Sequence, residues 1–443
     1  MKKVLLLTLF SGLVLNLWSQ VGIGTLTPES SAILELSSDT SGFLPPRLTD
    51  SQMQIITWKA VAGLLVYNTT FNGYYYFNGS AWTPVAGSSA GWLLSGNNML
   101  DPGSQFLGTT DTSSLRIRVN DEKAGIIDYS LRSTGFGLRS LLNNNAFDNT
   151  AFGQDALNMN NSGEQNVALG KSALFFNETG NNNTAVGFYA LSSNNAWNNT
   201  AIGESALLSN VTGSQNVAIG NSSLSSNIDG ANNTAVGYFA LMNTTAWDNT
   251  AIGERALVNN TEGSANVAIG NSAMASNRKG GYSTAVGFLA LFNDTVGENT
   301  AIGSRALSNN FNGRGNTAVG TGTLQGNEEG SGNTAIGFIT LHHSKAGDNT
   351  AVGSWSMHYN TTGTCNVAVG NGTLEKNESG NNNTALGFLS MHYNKFENNT
   401  AVGSWAMHNN QQGGQNVAIG SGALQNNTRS EERRVGKECR SRW

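Results

Sequence analysis

The chain has 443 residues, of which only 12% are charged, with 54 Gly and 5 Pro. This composition argues against a disordered chain, which is typically rich in Pro and charge, and favours a repetitive β structure over several ordinary globular domains. The net charge of −5 predicts no nucleic-acid partner, and the two cysteines, Cys365 and Cys439, exclude a disulfide framework.

Residues 1–20 have the pattern of a secretory signal peptide. Lys2 and Lys3 precede an apolar run from Val4 to Trp18, and cleavage is expected near residues 19–21. A membrane anchor is the alternative, but the run is short and lacks a positive stop-transfer flank. We therefore expect an exported chain that is secreted or held on the bacterial outer surface.

Residues 21–90 are predicted to form a β-rich N-terminal region, and residues 91–148 a connector. The stretch GLLVYNTTFNGYYYFNGSAWTPV predicts two short strands joined by a turn at Asn72 and Gly73. Both regions are similar to the N-terminal parts of bacterial surface and tail-fibre-like proteins. This resemblance implies a fibrous protein.

Residues 149–428 repeat one short pattern. The signature N-x-A-x-G begins seventeen times, once with Ser283 in place of Asn, and the spacings run 17, 17 and 16 residues before repeating. A strict short period is typical of stacked repeat architectures. Counting the signature Asn as position 1, the unit that starts at Asn199 reads NTAIGESALLSNVTGSQ.

Each unit predicts a strand at positions 1–5, a bend, a second strand around Ala206 and Leu207, and a turn. The Gly at position 5 and the β-branched residues oppose a helix, which is the alternative. We expect an all-β fold, a parallel β-roll or β-solenoid of about 17 coils, in which Ile202 is buried in the stack between Val186 and Ile219. Asn ladders are expected at positions 1 and 12, and variable residues such as Glu204 face solvent.

The units NTAIGESAL, NVAIGNSSL and NTAVGFYAL resemble the head repeats of trimeric autotransporter adhesins. The resemblance covers residues 149–428 and implies left-handed parallel β-rolls packed as a homotrimer. These units are somewhat longer than the typical head repeat. The implied function is an exported, adhesin-like fibre that presents or spaces a binding surface for a glycan or protein on a host or neighbouring cell. A phage-derived tail-fibre module that binds a receptor is the alternative.

The sequence predicts no enzyme, and no catalytic, cofactor-binding or metal-binding residue. Four of the five histidines occupy position 10, so His342 is expected to stack near His358, and His392 near His408. A solvated surface row is favoured over a metal-binding or pH-sensing ladder. Trp197 and Trp247 share one phase of the repeat, and Trp355 and Trp405 share another. These tryptophans could stack on sugars, but packing in turns is favoured.

Residues 429–443 break the pattern of the repeats. The string RSEERRVGKECRSRW carries six basic and three acidic side chains, whereas the preceding units hold few charges. It resembles a sequencing adaptor translated in frame. We expect this segment to be an artefact that plays no part in the fold.

Overall fold

The computed structural model describes residues 20–85 and 107–428, together with the backbone of residues 433–435. It divides into two compact units, one ending at Leu107 and one beginning at Gly108. The predicted signal peptide falls almost entirely outside the described residues, as does the first part of the predicted connector. No helix among the described residues has the length and apolar character needed to cross a membrane.

The N-terminal unit contains a pair of parallel strands and a four-stranded sheet. The strands are β1 (Val21–Ile23), β2 (Leu34–Leu36), β3 (Arg47–Leu48), β4 (Leu65–Asn68), β5 (Gly73–Phe77) and β6 (Trp82–Pro84). Strands β4 and β5 form the predicted antiparallel hairpin, and Asn72 takes a positive φ of 53° in its turn. The β-rich N-terminal region is thus confirmed.

A short helix in this unit was not predicted. Helix α1 (Asp50–Ile56) is followed by a 3-10 turn, Thr57–Lys59. The signal in the sequence was a capping box: the Thr49 hydroxyl accepts from the Gln52 backbone N–H, and the Gln52 side chain accepts from the Thr49 N–H. The helix contributes the buried Met53 to the core of the unit.

The second unit begins with three strands inside the predicted connector. These are β7 (Leu115–Val119), β8 (Glu122–Asp128) and β9 (Ser133–Phe136), joined by antiparallel pairing. Strand β9 then pairs in parallel with the first repeat, with Gly135 opposite Ala151. The sequence STGFG at residues 133–137 is a degenerate signature, so the stack of coils starts one coil before residue 149.

The remaining strands follow the repeat. They are β10 (Thr150–Phe152), β11 (Val167–Leu169), β12 (Thr184–Val186), β13 (Thr200–Ile202), β14 (Val217–Ile219), β15 (Thr234–Val236), β16 (Thr250–Ile252), β17 (Val267–Ile269), β18 (Thr284–Val286), β19 (Thr300–Ile302), β20 (Thr317–Val319), β21 (Thr334–Ile336), β22 (Thr350–Val352), β23 (Val367–Val369), β24 (Thr384–Leu386), β25 (Tyr393–Asn394), β26 (Thr400–Val402), β27 (Asn409–Asn410), β28 (Val417–Ile419), β29 (Asn426–Asn427) and β30 (Arg433–Val435). All except β25, β27 and β29, which form a separate small sheet, belong to one ladder that also includes β9. The predicted parallel β-solenoid is confirmed.

Every strand of this ladder pairs with the equivalent strand of the next coil without a register shift from β9 to β28. Val186 lies opposite Ile202, and Ile202 opposite Ile219, as predicted. Between Ser133 and Ile419 the described residues contain eighteen such strands, close to the predicted 17 coils. Strand β30 continues the ladder beside β28, within the segment expected to be an artefact.

The second strand of each unit was predicted wrongly. In most of the described coils, positions 6–11 form turns, and only the small sheet of β25, β27 and β29 is extended beyond position 9. The reason is the left-handed backbone at position 9, where Leu207 has a φ of 51° and Met274 a φ of 53°. A residue at positive φ interrupts a strand. Backbone pairing between coils continues there nevertheless, since the Leu207 N–H donates to the Ser223 carbonyl at 3.0 Å.

The burial predicted for Ile202 was also wrong. Its ladder exists, but Ile202 is 40% exposed, whereas Ala201 and Leu207 are fully buried. Successive strand residues point to opposite faces, and the inner face is taken by the Asn at position 1 and the Ala at position 3. Within this strand, room for a larger side chain is therefore available only on the outer face.

Both predicted Asn ladders are present and buried. At position 1, the Asn199 Oδ1 accepts the backbone N–H of Asn216 at 3.0 Å. At position 12, the Asn210 Nδ2 donates to Asn194 Oδ1 at 2.7 Å, and also to the Gly213 carbonyl at 2.8 Å. Because unpaired buried polar groups are costly, these side chains satisfy the turn carbonyls that the solenoid encloses.

Candidate interaction surfaces

The outer face of the strands carries a continuous row of apolar side chains, which we call the apolar ladder. It consists of the position-4 residue of each coil, and Ile202 and Ile302 are 40% and 43% exposed. The ladder extends along eighteen coils in register. A contiguous exposed apolar surface of this length is typical of an interaction site.

Aromatic residues flank the apolar ladder at position 6 of every third coil. The spacing of 50 residues aligns them along the rod, and each is 42–48% exposed; they are Phe188, Tyr238, Phe288, Phe338 and Phe388. One Gly separates each of them from the ladder residue of its own coil. Aromatic side chains add large contact areas to an interface.

The four recurrent tryptophans divide into two kinds. Trp197 and Trp247 are 58% and 55% exposed. Trp355 instead packs against Phe338 and His358, with ring centroids 6.2 and 4.8 Å apart. Trp405 has the same environment beside Phe388 and His408, and these four tryptophans therefore do not form one surface.

The histidines at position 10 stack as predicted. The rings of His342 and His358 lie 5.3 Å apart, and those of His392 and His408 lie 5.2 Å apart. Burial lowers the pKa of His342 to about 4, with further contributions from His343 and His358. Burial also lowers the pKa of His358 and of His408, so these imidazoles lie in a partly desolvated row.

The fifth histidine, His343, was left out of the predicted row because it occupies position 11. Its ring lies 4.5 Å from the His342 ring and 5.1 Å from the His358 ring. The ring nitrogens of His342, His343 and His358 offer ligand atoms that all lie within 4.8 Å of one another. The sequence did contain a signal for this cluster. His342 and His343 are adjacent, and the next coil has His358 at position 10.

One buried carboxylate interrupts the position-12 Asn ladder. Asp294 accepts hydrogen bonds from Asn299 and Asn310 at 3.1 and 3.0 Å, and from the Ser283 hydroxyl at 3.1 Å. Burial nevertheless raises the pKa of Asp294, because desolvation outweighs these hydrogen bonds. The interior of the solenoid therefore tolerates an acid where an amide is the usual residue.

The fold and its surfaces define a fibrous β-solenoid protein, and the comparison with known families adds one feature. Residues 22–99 match the family described as "Phage tail like trimerisation region". No curated protein and no solved structure matches the chain. The match supports a tail-fibre-like N-terminal region that is similar to a trimerisation region. The second unit of the chain is a solenoid with an exposed apolar ladder.

Proposed function

We propose that this chain is the subunit of a homotrimeric, exported surface fibre of adhesin type, in which three solenoids pack through their apolar ladders. The trimerisation region at residues 22–99 carries the proposal. It places three copies of the solenoid at a high local concentration, which favours their association. The resemblance of the repeats to the heads of trimeric autotransporter adhesins supports the same assembly.

The apolar ladder is suited to bind two further copies of this chain. Each coil exposes one aliphatic or aromatic side chain, and removing such area from water contributes roughly 25 cal/mol per Å². Identical ladders have the same rise per coil, so contacts made by one coil repeat in every coil along the fibre. No other surface of the solenoid is needed for trimerisation, which leaves the turns free to bind a surface ligand.

In this proposal the chain presents or spaces a surface that binds a glycan or protein, and it catalyses no reaction. The exposed Trp197 and Trp247 are the candidates for contact with a glycan or protein ligand, since they protrude from turns and are more than half exposed. A second candidate function, a phage-derived fibre that binds a receptor, is favoured by the tail-like trimerisation region. Antibody labelling distinguishes the two, because the first predicts label on intact bacterial cells and the second on phage-like particles.

The trimer is tested on the full chain by sedimentation and by cysteine labelling. Cys365 and Cys439 are first replaced by Ser, and Ile202→Cys is then compared with Val211→Cys. The two parent side chains are equally exposed, 40% and 39%, but Val211 lies in a turn. We expect a mass three times that of the monomer and much slower maleimide labelling at position 202 than at position 211.

Each result has a separate meaning. A monomer at micromolar concentration would contradict the homotrimer. A trimer in which positions 202 and 211 react at equal rates would keep the role of residues 22–99 but exclude packing through the apolar ladder.

A further inference from the structure

The late coils of the solenoid carry a row of titratable side chains at position 10. Five successive coils hold His342, His358, Glu375, His392 and His408 there. In the ten coils that begin at residues 149–299, position 10 holds no histidine and no acid. The row is therefore a local feature of this part of the repeat, and not a consequence of the repeat pattern.

Two imidazoles of this row have their tautomers set by neighbouring acceptors. The His342 Nε2 lies 3.2 Å from Gln325 Oε1, and the His358 Nδ1 lies 3.2 Å from the Ile339 carbonyl. A carbonyl oxygen can only accept, so the His358 Nδ1 carries the proton and its Nε2 holds a lone pair. With the Gln325 amide oxygen as acceptor, His342 likewise keeps its lone pair on Nδ1. Such outer contacts orient histidines that bind metals.

The lone pair on His342 Nδ1 is buried and has no hydrogen-bond partner within the described part of the chain. A buried polar atom without a partner is unusual and calls for an explanation. His343 provides the third imidazole beside it, with the ligand nitrogens of His342, His343 and His358 within 4.8 Å of one another. The unpaired atom thus belongs to an imidazole that lies close to two further imidazoles.

We propose that His342, His343 and His358 bind one divalent transition-metal ion of the kind that prefers imidazole, such as Zn²⁺, and that this ion joins two successive coils. Zn–N bonds of about 2.0–2.1 Å place tetrahedral nitrogens roughly 3.4 Å apart. Side-chain rotation therefore has to close at most about 1.4 Å between ligand atoms. Three protein ligands leave the fourth position to water.

A metal ion at this cluster would satisfy the buried His342 Nδ1. The ion would cross-link the coil that starts at Asn333 to the coil that starts at Asn349. These coils are otherwise held together by hydrogen bonds and packing between coils.

A second histidine pair in the same row provides an internal control. His392 and His408 stack in the same geometry, but position 11 beside His392 is Tyr393. The His392 Nδ1 already contacts Glu375 Oε2 at 3.4 Å and the Gly372 carbonyl at 3.1 Å. Two imidazoles without a third are a weaker metal site.

The test is a titration of the full chain, without a polyhistidine tag, with Zn²⁺ in competition with a chromophoric chelator. We expect one ion per chain, whatever the oligomeric state. His343→Tyr introduces the residue found at the same position of the next coil, Tyr359, and should preserve the fold. It should weaken binding by at least about 10-fold to 100-fold, the usual effect of losing even an outer contact. His392→Gln is the matched control and should leave the affinity unchanged.

Thermal unfolding provides a second measurement. Zn²⁺ should raise the unfolding midpoint of the parent and of His392→Gln, but not that of His343→Tyr. The proposal is overturned if the parent binds no stoichiometric ion, or if His343→Tyr binds Zn²⁺ as tightly as the parent. It is also overturned if His392→Gln loses the ion instead. The outcome is independent of the trimer, because all three ligands belong to one chain.

Discussion

The inside and the outside of each coil make an instructive comparison, because adjacent residues of one strand occupy the two sides. Inside, Ala201 is fully buried; outside, Ile202 is 40% exposed. The smaller side chain is thus the better buried one, the reverse of the usual preference. The inner face of the strand therefore holds a small residue, whereas the outer face leaves room for a larger one.

Neighbouring coils approach each other closely at the Gly of position 5. Gly203 has a φ of +139°, and a Cβ there would lie 2.6 Å from the carbonyl carbon and oxygen of Gly220. Both the backbone conformation and the adjoining coil therefore demand Gly. The same relation recurs at each position-5 Gly from Gly137 to Gly403, which explains why this position does not vary among those coils.

The largest effect is expected from Gly203→Ala, which tests the close approach. Backbone strain alone contributes about 1–3 kcal/mol, and the clash with fixed backbone atoms adds to it, so we expect a loss of more than about 3 kcal/mol in urea unfolding. The control is Gly315→Ala, where φ is +64° but the nearest atom to a Cβ is 4.0 Å away. That variant should lose only about 1–2 kcal/mol. Equal losses would show that coil spacing does not restrict position 5.

A smaller effect is expected from Leu207→Ile, which tests the left-handed backbone inside the coil. Position 9 holds only Leu or Met from Leu141 to Leu424, with φ between 47° and 53°. A β-branched residue is strained there, so Ile should cost about 1–3 kcal/mol although it has the same volume. Leu207→Met, the residue found at Met274, should cost less than about 1.5 kcal/mol. The unfolding midpoints of the two variants are compared. If Leu207→Ile is as stable as Leu207→Met, the left-handed backbone does not exclude β-branched residues at position 9.

The smallest effect is expected from Asp294→Asn, which restores the usual amide to the interior. Because burial raises the pKa of Asp294, the folded state favours the protonated acid. The stability that the protonated acid contributes is fully present below the ordinary Asp pKa of 3.8 and is lost as pH rises through the raised pKa of the folded state. Asp294→Asn should therefore be more stable than the parent at neutral pH, and the difference should shrink on acidification. Urea unfolding of both proteins between about pH 4 and 8 measures this difference in stability. A difference that grows as the pH falls would contradict the raised pKa of Asp294.

Much of the architecture could be predicted from the sequence because it depends on local periodicity. The 17, 17 and 16 spacing, the pairing of Ile202 with Val186 and Ile219, and the Asn ladders all follow from the recurrence of like residues at like positions. Helix α1 could also have been predicted from the Thr49 and Gln52 pair. These features need no knowledge of which side of the strand is enclosed.

The sequence by itself determined the period, the coil and the residues that stack upon one another. Tertiary structure alone decided that Ile202 faces outward, that positions 6–11 turn instead of extending, and that His343 joins His342 and His358. Alternation along a strand defines two faces but does not say which is inside. That choice is made only when the coil closes and residues about seventeen positions apart pair between successive coils.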